Sequence, residues 1–280
     1  PNNFKSYEEL FNAFKSQLNH FVEIKVKGNN VIERIYSKHM PAPLMSVIVD
    51  DCIKTAKDYN AGGARYNTKY IQGVGIGTIT DSLTSIKYNV FDKKKFNMSE
   101  LLEALKNNFN GYEAIYNMVV NKTPKYGNDD DYADDLMQDV FNSFYNEVTG
   151  RKSPMGAEYR INMLPTTCHV YFGEVMGASA NGRLSQKPLS EGISPEKGGD
   201  TNGPTAVIKS CSKMDHLKTG GTLLNQRFAP AVVQGEEGLE NMSNLVRAYF
   251  NMDGHHIQFN VFDKNVLLAA QKNPDEYKDL

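Results

Sequence analysis

The chain opens on a helical stripe. Leu10, Phe11, Phe14, Leu18 and Phe21 recur at spacings of three and four, which puts them on one face of a helix. Ser6 stands just before the stripe with Glu9 three residues on, a pattern whose side chains cap the first free amides. Val31, Ile32, Ile35 and Tyr36 form a shorter stripe, and a further helix is expected over 43–59, ended by Gly62 and Gly63. Gly73, Gly75 and Gly77 make a loop before another helix start at Asp81. Asn97 with Glu100 opens a helix through Leu101, Leu105 and Phe109. The acidic stretch 128–131 opens the next, through Leu136, Val140, Phe141 and Phe144.

Near Gly150 the pattern changes. Residues 166–175 and 222–233 are rich in β-branched and aromatic side chains and read as strands, with Pro230 confined to a strand end or bulge. A helix over 239–250 precedes an alternating strand over 255–262. There Ile257, Phe259 and Val261 share one face, and His256, Gln258 and Asn260 the other. Asp263 caps a last helix over 266–272. The loops over 177–205 are too long for idle connections in a compact domain. The expected organisation is a mainly helical part, 1–150, and a strand- and loop-rich part, 151–280, of one α/β domain.

Composition narrows the function classes. Hydrophobic residues make up 40% of the 280, enough for a sizeable core. Lys and Arg number 31 against 33 Asp and Glu, a net charge of −2, which offers no field for nucleic acid or acidic membranes. No apolar run approaches the length of a membrane span. The cysteines are Cys52, Cys168 and Cys211, an odd number without a CxxC. That argues against a disulfide scaffold or structural zinc and fits a reducing cytoplasm.

Several candidate chemistries fail on spacing. The glycine run lacks the Lys-Ser/Thr of a phosphate loop and reads as close packing at a strand–helix turn. Counted from Asp129, calcium-loop position six is Asp134 and position twelve is Val140, where Gly and Glu are needed. His255 and His256 are adjacent, so in a strand they point to opposite faces and do not share one ion. No GxSxG elbow is present. Arg183 follows an Asn181-Gly182 turn and is expected to pin that loop, with carboxylate binding as the other option.

Taken together, a set of motifs resembles the later part of a glycyl radical enzyme. They are Gly62-Gly63-Ala64-Arg65-Tyr66-Asn67, Gly73-Val74-Gly75-Ile76-Gly77-Thr78 with Asp81-Ser82-Leu83, and Pro124-Lys125-Tyr126-Gly127-Asn128-Asp129. Ser179-Ala180-Asn181-Gly182-Arg183, Gly254-His255-His256-Ile257-Gln258-Phe259-Asn260-Val261 and Asn273-Pro274-Asp275-Glu276-Tyr277 complete the order. Arg65-Tyr66-Asn67-Thr68 and Asn162-Met163-Leu164-Pro165-Thr166-Thr167-Cys168-His169 are similar to the dehydratase and lyase branch, nearest to the members acting on trans-4-hydroxy-L-proline.

The resemblance implies an α/β fold that is part of a ten-stranded barrel, here the second half-barrel with its surrounding helices, ending before the glycyl radical domain. It implies an oxygen-sensitive hydro-lyase in which a glycyl radical, installed by a radical-SAM activating enzyme, generates a cysteine thiyl that starts the loss of water. Pyrroline-5-carboxylate is the product, and the full-length protein is a homodimer. Glycerol dehydration, choline cleavage, formate acetyltransferase-like chemistry and a non-catalytic scaffold are the alternatives. No bound cofactor or metal is expected on these residues. The family's Cys-x-Glu and Arg-Val-x-Gly-Tyr motifs do not occur in the 280 residues, so no catalytic residue is assigned and the chain alone is expected to be inactive. Met163, Thr166 and Thr167 on one strand, and Phe228, Pro230 and Val232 on another, are the expected substrate-pocket residues.

Overall fold

The computed structural model describes residues 3–277. Helix α1 (Tyr7–His39) carries Ser6 as its cap, with Ser6 Oγ accepting the Glu9 N–H at 3.3 Å. Glu9 reaches back one residue further, to the Lys5 N–H at 2.8 Å. The two stripes expected as separate helices belong to this one element, which runs through Gly28 without a break.

The single helix expected over 43–59 is broken into α2 (Pro43–Ile48), α3 (Cys52–Thr55) and a 3-10 turn at Tyr59–Ala61. Asp51 and Ala56 sit in the left-handed region, at φ 74° and 54°. The doubling back lets Asp58 Oδ2 accept from the Ala42 N–H at 2.9 Å and Ser46 Oγ at 2.8 Å, so a residue sixteen positions later caps α2.

Strand β1 (Thr68–Gln72) leads through the glycine turn into α4 (Ile76–Ser85), which continues as a π-helical segment, Ile86–Asp92. Helices α5 (Met98–Lys106), α6 (Glu113–Asn121) and α7 (Asp131–Val148) follow. Asn97 and Glu100 form the expected capping box of α5, and Asp130 caps α7. Strand β2 (Glu158–Met163) comes next.

Residues 166–175 are not a strand. Pro165 and Thr166, at φ 52°, end β2, and α8 (Cys168–Val175) follows. Helix α9 (Pro204–Ser212) precedes β3 (Thr219–Phe228), which begins and ends earlier than expected, and Pro230 opens a 3-10 turn, Pro230–Val232. Helix α10 (Gly235–Asn251), strand β4 (His256–Val261) and helix α11 (Lys264–Lys272), capped by Asp263, close the order.

The four strands form one parallel sheet in the order β1-β2-β3-β4. Parallel neighbours need crossovers, and here helices supply them. Ile71, Tyr159, Ile161, Met163 and Leu224 point into one core with Leu136, Met137, Phe141, Ile208 and Tyr249. On the opposite face Tyr70, Gln72, Arg160, Arg227 and Gln258 are exposed. No helix of the described residues is long and apolar enough to cross a membrane.

Candidate functional site

The glycine turn is a packing device. Gly73 gives its N–H to Asn162 O at 2.8 Å, and a Cβ there would lie 2.7 Å from Met163 Sδ. Gly75, at φ 77°, turns the chain into α4. A Cβ on Gly77 would lie 2.8 Å from Ser194 O. No phosphate cradle forms; three close approaches of backbone do.

The first two turns of α4 are polar yet buried: Thr78, Thr80, Asp81 and Ser82 all lie inside. Ser82 satisfies itself by donating to Thr78 O at 2.7 Å. Asp81 is fully buried, and desolvation raises its pKa to about 7 against the pull of Lys125.

At the end of β2, Thr166 is a β-branched residue in left-handed backbone, which costs energy and tends to persist where a site requires it. Its carbonyl lies 3.0 Å from His169 Nδ1, which fixes the turn and leaves the Thr166 and Thr167 side chains exposed. Met163 is placed differently from that expectation: its side chain is buried in the main core against Gly73.

At the end of β3 a cavity of about 490 Å³ opens between the strand and the loop before α9. Val207, Phe228 and Val232 give it an apolar side, and Glu191, Lys197, Asp200 and Arg227 bring charge of both signs. Burial raises the Asp200 pKa above the usual carboxylate value. Both side-chain amide atoms of Asn225, and Oε1 of Gln226, are buried without a hydrogen-bond partner. Such groups cost stability, but they are closed off from the cavity; it is the charged side chains of its lining that suit a small polar molecule. Phe228 and Val232 meet at this cavity, with Pro230 starting the turn between them. Thr166 and Thr167 are not in its lining.

The cysteines sit in three different settings. Cys52 is buried. Cys211 is buried 3.1 Å from the Tyr126 hydroxyl, and burial pushes its thiol up to about 12. Cys168 is half-buried at the start of α8. Arg183 pins its own loop, donating to Lys187 O at 2.6 Å, Leu184 O at 3.1 Å and Gly177 O. His256 Nδ1 lies 3.2 Å from Thr222 O, and no cluster of three or more metal-ligating side chains occurs among the described residues.

Sequence reasoning quoted Asp81 and Lys125 only inside motifs, with no role of their own, and passed over Glu196, Asn225 and Gln226. The available signal was an Asp inside the apolar run Ile76, Ile79, Leu83 and Ile86; the loops that meet it lie too far along the chain to be read locally.

Comparison with known proteins adds to this geometry. A pyruvate formate lyase-like family model matches residues 1–173, and a glycine radical model matches residues 189–280. The trans-4-hydroxy-L-proline dehydratase of Clostridioides difficile is 78% identical over 280 residues, 100% of this chain and 36% of that protein. The crystal structure of hydroxyproline dehydratase from the same organism, with substrate trans-4-hydroxy-L-proline bound, superposes with a TM-score of 0.97 over 100% of this chain and 36% of that one, at 78% identity. The glycerol-bound B12-independent glycerol dehydratase from Clostridium butyricum gives a TM-score of 0.93 at 42% identity, with the same shares covered. The chain thus spans 36% of the length of these relatives.

Proposed function

The chain belongs to the pyruvate formate lyase-like family of glycyl radical enzymes, and from that premise we propose that the protein carrying it removes water from trans-4-hydroxy-L-proline to give pyrroline-5-carboxylate. The 78% identity to a hydroxyproline dehydratase, sustained over the whole chain, carries this reading. Its share of the work is the barrel wall and the strand ends that face a substrate. The strained Thr166 turn supports a pocket role for Thr166 and Thr167, and the cavity at the end of β3 supports one for Phe228 and Val232, with Pro230 proposed as the residue that opens the turn between them.

The radical carriers do not fit onto these residues. No Cys-x-Glu and no Arg-Val-x-Gly-Tyr occurs in the sequence, and the environments of Cys52 and Cys211 are those of structural thiols. No step of the reaction is therefore assigned to a side chain of this chain. The glycine radical match over 189–280 supports a protein-borne glycyl radical, for which the proposed partner is a radical-SAM activating enzyme. A homodimer in a reducing cytoplasm completes the proposal; three free cysteines are in keeping with that compartment.

The test is anaerobic activation of the protein that carries this chain, followed by electron paramagnetic resonance and assay with trans-4-hydroxy-L-proline and with glycerol. A glycyl radical signal with pyrroline-5-carboxylate formed from hydroxyproline is expected. A radical signal with turnover of glycerol alone would move the protein to the other dehydratase branch.

A further inference from the structure

The first turns of α4 grip two loops at once, the one before α7 and the one before α9. Thr78 accepts the Ser190 N–H on Oγ1 at 2.8 Å, gives its own N–H to Ser190 Oγ at 3.1 Å, and donates its hydroxyl to Glu196. Asp81, nearly one turn on, accepts the Tyr126 N–H on Oδ1 at 2.9 Å. Lys125, the neighbour of Tyr126, donates from Nζ to Asn181 O at 3.0 Å. Asn181 in turn donates from Nδ2 to Glu196 Oε2 at 3.2 Å. These contacts close a ring: Asp81, the 125–126 segment, Asn181, Glu196, Thr78, and back through α4.

The ring surrounds a cavity of about 380 Å³ lined by Asp81, Lys125, Asn181, Arg183 and Glu196. Asp81 is wholly buried and its Oδ2 has no hydrogen-bond partner. Lys125 is buried too, and burial lowers its pKa while Asp81 and Glu196 raise it. The charged groups acting on Asp81 are Lys125 from the loop before α7, Glu196 from the loop before α9, and Asp134 from α7. An ammonium buried this deeply needs an opposite charge nearby.

The loop held by the ring has a second face. Glu191, Ser194, Pro195, Lys197, Gly198 and Asp200 form one wall of the cavity at the end of β3. The ring therefore lies behind that wall and touches nothing inside the cavity except through it.

We propose that Asp81 is a positioning residue: through Lys125, Asn181, Glu196 and Thr78 it fixes residues 189–200 as the wall of the cavity at the end of β3, and so sets how tightly substrate is held there. The substrate half of this statement rests on the reading that this cavity belongs to the hydroxyproline site; the loop-fixing half does not.

Asp81→Asn tests it, because the side chain keeps its size and its acceptor for the Tyr126 N–H, while the unpartnered Oδ2 becomes an amide NH2 and the group can no longer ionise. Hydrogen–deuterium exchange, measured on the protein without substrate, should become about tenfold faster over 189–200 while the α1 and α7 amides keep their protection. KM for hydroxyproline should rise severalfold with a smaller fall in kcat, the mark of lost binding and not of lost chemistry. Lys125→Met should speed the same amides, and the double variant should be no faster than the worse single one. Unchanged exchange over 189–200 in Asp81→Asn would overturn the proposal, as would strictly additive effects in the double variant. Exchange is read without substrate, so a protein inactive on hydroxyproline leaves this test standing. An active protein whose loop ignores Asp81→Asn leaves the function standing and removes only the proposal.

Discussion

His216 shows how far one side chain can be moved by its surroundings. It is almost wholly buried, its Nδ1 lies 2.8 Å from Thr222 Oγ1, and its ring stands edge-on to Tyr249 with centroids 5.9 Å apart. Burial, then the His255 charge, lowers its pKa to about 4. The fold holds the neutral imidazole, whereas the unfolded chain takes a proton near the ordinary value of about 6.5. The stability this gives is complete above about 6.5 and is lost as the pH falls towards about 4, at up to about 1.4 kcal/mol per pH unit. Thermal melts at pH 7 and pH 5 should therefore differ less for His216→Gln than for the parent protein; equal pH dependence in the two would refute a buried neutral His216. Other residues follow the same logic of context. Arg183 was readable as a loop pin because an Asn-Gly turn stands before it. Asp81 was not, because its partners lie 45 residues away on Tyr126 and, through the ring, further still.

Among the elements, periodicity reported helices faithfully where one face is buried and failed where tertiary contacts decide. The α5 capping box and the Asp130 and Asp263 caps appear as their spacing demands. The 43–59 helix breaks because Asp58 folds back to cap α2, a long-range bond that local propensity does not encode. Residues 168–175 are helical despite strand-prone side chains, since Pro165 and the Thr166 turn end β2 and the chain must return across the sheet. Two glycines give opposite expectations from the same substitution. Gly77→Ala in α4 would push a Cβ to 2.8 Å from Ser194 O, backbone that has little room to yield, so a loss of about 1–3 kcal/mol is expected. Gly28 lies in α1, and a Cβ added there would meet nothing within 4 Å, so Gly28→Ala should add about 1 kcal/mol. Thermal melts of both variants check the pair; a stabilising Gly77→Ala would contradict the close packing of α4 on the 189–200 loop.

For the whole molecule, the parallel sheet has one face packed on helices and one face lined by Tyr70, Arg160, Arg227 and Gln258. All-parallel sheets are ordinarily covered on both faces, and in the barrels of the solved relatives this chain accounts for 36% of the length. A run of exposed apolar side chains along α1, α2 and α3, including Phe21, Ile24, Leu44, Val47, Ile48 and Ile53, is a broad apolar surface apart from that polar sheet face. The family and the α/β barrel character were legible in the ordered motifs; the packing of α4 against distant loops was not, because it depends on which loops the barrel brings together. Whether these strand ends wall a hydroxyproline pocket is decided by a crystal structure of the whole protein with trans-4-hydroxy-L-proline bound. Van der Waals or hydrogen-bond contact is expected between the substrate and at least one residue from the Thr166–Thr167 turn and one from Phe228, Pro230 and Val232. A bound substrate with all five beyond contact distance would refute the pocket assignment.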